Sequence, residues 1–285
     1  MMVSKTCENR ECVSGDTRVH TLNGCYKIRD LVGKNVFIFN GVNWSEVKPF
    51  LCKEEDELMK ITFSDGSEVT VTPNFNFLIS SDGINYKKSK ASELKLGLYL
   101  PKFRLISPGC EQIIIEAYDK GKFQGKSEFC NFKSSSLIID CKCQEVDEIG
   151  VEVMTSDIDS IYQFVAGWAD ACYEERMKRY IKKKEDGVYL FGRYKILHDL
   201  QILLRRVNIN NAEIYKHSLN KNFAFLRISK NESKRIPTRV LPIIENNISS
   251  SLESYQSITG IMLVPNGPSY SFLEKTMGVF GNVLI

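Results

Sequence analysis

"CVSGDTRVHTLNGCYKIRDLVG", Cys12 to Gly33, puts a cysteine in front of the small, turn-forming run Ser14-Gly15-Asp16-Thr17 and then alternates like a half-buried strand. Working outward, β-type patterning continues for the first hundred residues. "TRVHT", "KNVFIFN", "LMKITFS" and "EVTVTPNFNFLIS" are rich in β-branched and aromatic residues. Asn23-Gly24, Asn40-Gly41, Asp65-Gly66 and Asp82-Gly83 punctuate them as hairpin turns. The pattern predicts an all-β module of repeated hairpins.

After Pro101 the pattern loosens through "SPGCEQ" and "GKFQGKSE", which reads as a junction rich in Gly and Ser. From about Asp157 the period becomes helical. "SIYQFVAGWADACYEE" reads as a helix with small residues buried in it, "ERMKRYIKKK" and "GVYLFGRY" as strands, and "YKILHDLQILLRRV" as a second, amphipathic helix; "NAEIYKHS" and "NFAFLRIS" are strands again. The last thirty-five residues return to β character. The expected organisation is a short flank 1–11, a β part 12–108, a linker or insertion 109–156, an α+β part 157–249, a second β part 250–282 and a flank 283–285. Two β parts around an α+β part suggest one domain inserted into a loop of another.

Composition narrows the function classes. At 285 residues and 43% apolar, the chain has material for two modest cores. Nine cysteines, an odd number without regular spacing or a preceding secretory signal, argue against a disulfide framework and for a reducing, cytoplasmic setting. Cys7, Cys12, Cys141 and Cys143 contain no C-x-x-C pair, which speaks against zinc. The longest apolar runs are far short of a bilayer span. The net charge of +3 hides an asymmetry: residues 138–175 hold ten Asp/Glu and one Lys, whereas residues 176–206 hold ten Lys/Arg and three Asp/Glu.

The opening stretch resembles the first block of inteins and related Hint domains, carried by Cys12, Gly15, Asp16, Thr17, Val19, Gly24, Ile28 and Leu31. "GSEVTVTPNF" is similar to the second block, a strand ending in Thr-x-x-His, here Thr72, Pro73, Asn74 and Phe75. "GPSYSFLEKTMGVFGN" resembles the end of such an element, which closes on His-Asn, here Gly281-Asn282. The middle resembles a LAGLIDADG homing endonuclease unit through "FVAGWADACYEE". The fold class implied is a mainly β, horseshoe-shaped Hint fold interrupted by an α+β LAGLIDADG-like domain.

The resemblance implies self-processing chemistry with Cys12, Thr72 and Asn282 as catalytic residues and no cofactor. The Cys12 sulfur attacks the Glu11 carbonyl and converts an amide into a thioester; Thr72 assists at the oxyanion. Asn282 cyclises onto its own carbonyl and cuts the Asn282-Val283 bond. The partners implied are the flanking host-protein sequences, although the flanks present here are too short to be a host. The departures gather where proton transfer is done. Phe75 replaces a His, Gly281 replaces another, Ile261 and Tyr270 stand where an Asp and a His align, and Val283 offers no acceptor nucleophile. None of His20, His198 and His217 falls in a family position. Each missing general acid is worth roughly 10²- to 10⁴-fold in rate, so impaired processing is expected. Without this context, Cys12 reads as a buried structural thiol, Thr72 as a strand end and Asn282 as a tail residue.

In the LAGLIDADG-like unit the resemblance implies helices meeting at small residues, here Ala166, Gly167 and Ala169, each delivering a carboxylate to shared Mg²⁺. Asp170 matches the first acidic position, while Cys172, a poor Mg²⁺ ligand, occupies that of the metal-binding carboxylate. Mg²⁺ is therefore expected only if endonuclease activity survives. One copy of the motif implies either a monomer that has lost its second repeat or a dimer through this helix. The plain reading is that the small residues pack the helix on its own sheet. Arg176, Lys178, Tyr180, Lys182 and Lys184 alternate along one predicted strand face, a surface suited to the backbone of double-stranded DNA; a lysine-rich edge strand that blocks aggregation is the plain alternative. Two other classes stay open, a DNA-binding or nicking homing protein and a non-catalytic remnant.

Overall fold

The computed structural model describes residues 10–39, 43–101, 112–137, 148–175, 187–210, 212–218, 220–240 and 255–272, with backbone alone at 134–137, 255, 279–280 and 283–284. In chain order the strands are β1 (Val13–Ser14), β2 (Arg18–Thr21), β3 (Gly24–Lys27), β4 (Val36–Phe39), β5 (Trp44–Val47), β6 (Pro49–Phe63), β7 (Glu68–Val71), β8 (Asn76–Ile79), β9 (Lys87–Lys90) and β10 (Tyr99–Pro101). Helices α1 (Ala117–Leu137), α2 (Val151–Met154) and α3 (Ile158–Glu174) follow, then β11 (Gly187–Arg193), α4 (Tyr194–Arg206), β12 (Ala212–Lys216), β13 (Phe223–Ser229) and α5 (Lys230–Ser233). The chain closes with β14 (Tyr255–Phe272), β15 (Val279–Phe280) and β16 (Val283–Leu284). Two compact units result, Met1–Leu105 with Glu253–Ile285, and Ile106–Leu252.

Among its described residues the first unit is β, apart from two short 3-10 turns. One sheet of five strands runs β1-β7-β6-β14-β10, and β1 also pairs with β14, so four of these strands close a ring. Strand β14 follows β6 antiparallel over most of its length, with register irregularities between Val264 and Tyr270. A second sheet runs β16-β15-β2-β4-β5 with β3 on β2, and β8-β9 is a separate hairpin. The core between them holds Val19, Ile28, Ile61, Phe63, Val71, Phe75, Phe77 and Leu100, all 2% exposed or less. Burying each large side chain of this kind is worth about 1.5–3 kcal/mol. The turn that follows β1 is held by the Thr17 N–H on the Ser14 carbonyl at 3.0 Å. Gly15 is required there because a Cβ would press into the Tyr270 ring.

The second unit is α+β. An antiparallel sheet β11-β13-β12 is packed by α4, whose face of Ile196, Leu197, Leu200, Leu203 and Leu204 recurs at helical spacing and is buried. Sequence periodicity finds α3, β11, α4, β12 and β13. It misses α1: the segment "GKFQGKSE", read as part of a loose junction, lies inside a 21-residue helix. The two glycines that weaken its helix signal are what tertiary packing needs. A Cβ on Gly121 would overlap the Phe164 carbonyl, and a Cβ on Gly167 would overlap that of Tyr118. Thus α1 and α3 cross backbone against backbone, and the small-residue face of α3 is covered by α1 of the same chain. That face is therefore filled without a second copy. The opposite side of α3 meets the sheet, where Trp168 Nε1 donates to the Phe191 carbonyl at 3.1 Å.

Candidate functional site

The ring closure of the first unit decides what surrounds Cys12. Val13 of β1 pairs with Val71 on one side and Tyr270 on the other. Cys12 therefore lies between Thr72, just past β7, and Ser271, near the end of β14.

Both polar atoms of the Glu11-Cys12 peptide are held by side-chain hydroxyls. The Cys12 N–H donates to Thr72 Oγ1 at 3.1 Å, and the Glu11 carbonyl accepts from Ser271 Oγ at 2.9 Å. The flanking residues are gripped as well. Asn74 Nδ2 donates to the Arg10 carbonyl at 2.9 Å, Asn76 Nδ2 donates to Glu11 Oε1 at 2.6 Å, and the Thr72 N–H donates to the Cys12 carbonyl at 2.9 Å. Arg10 itself donates to the Phe272 carbonyl at 3.2 Å and stacks over Phe50. This chain segment is an extended peptide fixed residue by residue, as a substrate is in a cleft.

The thiol has its own environment. Cys12 is 1% exposed, and its Sγ lies 2.9 Å from Cys52 Sγ on β6. The Cys12 thiol donates to the Cys52 sulfur, and when Cys12 ionises the direction reverses and Cys52 is the donor. That hydrogen bond holds the Cys12 thiol below its ordinary value of 9.0; burial opposes it, Ser269 and Lys53 assist, and Asp56 opposes. Ser269, fully buried, donates to Asp56 Oδ2 at 2.9 Å.

Phe75, where the resembling motif would carry a His, is 2% exposed and packs on Phe77 with ring centroids 5.4 Å apart, so an apolar ring there serves the core. Ile261 and Tyr270 pack against the same core. Asp16 does more than close a local turn, pairing with Arg29 at 2.9 Å and Lys27 at 3.4 Å. Gly281 and Asn282 lie outside the described residues; the backbone just before them, β15, joins β2 through Phe280 and Val19.

In the second unit Asp170 is fully buried, and its carboxylate accepts from the Tyr118 hydroxyl at 2.8 Å and from the backbone N–H groups of Arg239 and Val240 at 2.6 and 3.1 Å. Its oxygens thus tie residues 239–240 to the helix pair. Cys172 is buried, accepts the Phe191 N–H at 3.3 Å, and is pushed up to about 12 by burial. Glu174 pairs with Lys122 at 2.6 Å. These residues do not fit a Mg²⁺ cage, and among the described residues no group of three or more His, Cys, Asp and Glu is placed to hold a metal. Arg176, Lys178, Tyr180, Lys182 and Lys184 lie outside the described residues. Three nearby cations are committed internally: Arg193 pairs with buried Glu128 at 3.1 Å, Arg206 donates to the Met154 carbonyl at 2.7 Å, and Arg205 is 3% exposed.

Sequence reasoning missed Ser271, Ser269, Asn74, Asn76 and Cys52. Asn74 and Asn76 carry a faint signal, flanking Phe75 right after the Thr72 motif. Ser271 and Cys52 carry none, because only strand pairing brings them to Cys12. Among the described residues no helix is long and apolar enough to cross a membrane.

No family model matches the sequence. The chain is 28% identical over 141 residues to the large subunit of ribonucleoside-diphosphate reductase of invertebrate iridescent virus 6, a match that takes in 44% of this chain and spans 15% of that protein. Among solved structures it is similar to the gp41-1 intein at 22% identity, with 33% of this chain and 69% of that one covered and a TM-score of 0.28. The TvoVMA intein matches at 21% identity over 34% and 72% of the two chains, with a TM-score of 0.29. A DnaB intein from Synechocystis sp. PCC 6803 matches at 20% identity over 32% and 70%, with a TM-score of 0.27.

Proposed function

We propose that this chain is an intein-like self-processing protein in which Cys12 attacks the Glu11 carbonyl, with Thr72 and Ser271 holding the two sides of the bond that breaks. The observation that carries this reading is the paired grip on the Glu11-Cys12 peptide, hydroxyl to carbonyl oxygen and hydroxyl to amide nitrogen. As the sulfur–carbon bond forms and the carbon–nitrogen bond breaks, charge develops on the Glu11 oxygen, where Ser271 already donates. The proton that leaves the sulfur ends on the Cys12 nitrogen. A partial match spanning 15% of a much longer reductase subunit is what an element embedded in a host protein gives.

Splicing in this reading is impaired. Phe75 supplies no proton to the departing amine, Gly281 none at the Asn282 step, and Val283 accepts no acyl group. The reaction stalls at N-terminal thioester cleavage. The test is intact mass measurement after expression with marker proteins fused at both ends. Thiol-stimulated release of the upstream marker with the downstream marker retained is expected; a chain that keeps both markers under thiol contradicts the reading.

The second unit is proposed as a LAGLIDADG-like insertion that binds double-stranded DNA without cutting it. The glycine-mediated crossing of α1 and α3 supports the first half and the occupied Asp170 carboxylate the second. The DNA contacts fall to Arg176, Lys178, Tyr180, Lys182 and Lys184. Binding through them should weaken with salt at a log-log slope of about 0.9 per phosphate engaged. Salt-insensitive binding, or specific nicking with Mg²⁺, contradicts it.

A further inference from the structure

We propose that Cys52 is the partner of a reversible disulfide with Cys12, formed on exposure to hydrogen peroxide and removed by a dithiol, so that the pair is a modification site that switches the Cys12 thiol off. That the switch silences peptide cleavage rests on the function proposed above; that the bond forms rests on geometry alone. The sulfurs are 2.9 Å apart, so they need approach by only about 0.9 Å to reach the ~2.05 Å of a disulfide. Cys12 immediately precedes β1 and Cys52 lies on β6, two strands that the common partner β14 holds side by side: Tyr270 pairs with both Val13 and Leu51. Cys52 is turned inward, 6% exposed, beside Leu51 at 39%. Cys25, the other described cysteine of this unit, sits on β3 in the second sheet.

The chemistry balances with one peroxide. The Cys12 thiolate, favoured by its hydrogen bonds, attacks a peroxide oxygen and becomes a sulfenic acid as hydroxide leaves. The Cys52 sulfur then attacks the Cys12 sulfur, the S–S bond forms, and the sulfenic oxygen departs as water. Two thiols are oxidised, one peroxide is reduced, and two waters result. Cys52 also protects Cys12: a sulfenic acid with no neighbouring thiol advances under peroxide to sulfinic acid, which a dithiol does not reverse.

The experiment uses the full chain with an upstream marker fused before Glu11. Hydroxylamine reports cleavage, since it traps thioesters without reducing disulfides. After hydrogen peroxide, non-reducing peptide mapping is expected to show the Cys12 peptide linked to the Cys52 peptide. Hydroxylamine cleavage should fall at least roughly tenfold, as expected when a thiolate is removed, and return after dithiothreitol. In Cys52→Ser the same treatment should leave Cys12 as sulfinic acid with cleavage unrecovered. Separate alkylation of Cys12 and Cys52 in peroxide-treated chain that retains its fold overturns the proposal, as does full dithiol recovery in Cys52→Ser. A chain that forms the link but never cleaves when reduced sinks the cleavage reading and leaves the disulfide standing. One that cleaves but forms no link does the reverse.

Discussion

The Ser271 hydroxyl sits 2.9 Å from the carbonyl oxygen of Glu11, 260 positions away in sequence. Among the described residues it is the one side-chain donor on that oxygen. If the oxygen becomes an oxyanion, Ser271→Ala should slow thiol-induced cleavage by about 10²- to 10³-fold, the range that loss of a single preorganised donor reaches. Stability should stay within about 1 kcal/mol, since the side chain is half-buried and makes a single hydrogen bond. Cleavage at the wild-type rate would remove Ser271 from the mechanism.

Restoring the family histidine should not restore activity. The Phe75 ring is in the core against Phe77. Phe75→His exchanges that contact for an imidazole without a provided partner, at a cost of about 2–4 kcal/mol. A lowered denaturation midpoint with cleavage no faster is expected; faster cleavage at unchanged stability would show the ring position to be open to the site.

How much of this was legible follows from which interactions are local. The run Cys12 to Gly33 announces its turn and strand through neighbours in sequence, and the period-3.6 face of α4 announces a helix. Helix α1 is hidden because Gly121 and Gly125 read as breakers, and their reason for being there, the α3 backbone against Gly121 and the Trp168 and Ala171 side chains against Gly125, lies more than forty residues on. Thr72 was legible through its strand end. Ser271 and Cys52 were not, because a ring of strands β1, β7, β6 and β14 is a long-range pairing that no spacing rule encodes. Asp170 was legible as an acidic residue at a motif position, but what it accepts from depends on residues 239 and 240.

The helix crossing gives a stability test. Gly121→Ala and Gly167→Ala each place a methyl group on a facing backbone carbonyl, which side-chain motion cannot relieve. Each should destabilise the second unit by about 1–3 kcal/mol or more. A Gly125→Ala change meets a side-chain ring and a methyl before any backbone atom and should cost less. Equal thermal midpoints for all three would contradict the backbone-to-backbone contact.

Burial of Cys172 predicts alkaline sensitivity. Its thiol is pushed up to about 12 from 9.0, so above pH 9 the unfolded chain releases a proton that the folded one keeps. Stability present below pH 9 is therefore lost as pH rises toward 12. Tyr118, raised from 10.0 to about 12 by burial and then by Asp170, adds a second contribution over the upper part of that window. Cys172→Ala should flatten the slope between pH 9 and 10 in denaturant melts, leaving the Tyr118 part. An unchanged slope would mean that the thiol ionises in the folded state.

The central claim is that Cys12 attacks Glu11, and the product of that attack can be trapped. Hydroxylamine added to a fusion with its upstream marker joined at Glu11 should release that marker as a hydroxamic acid at the Glu11 carboxyl, read directly from its mass, and Cys12→Ala should release none. An upstream marker that stays attached to a natively folded, reduced chain under excess hydroxylamine would contradict the account.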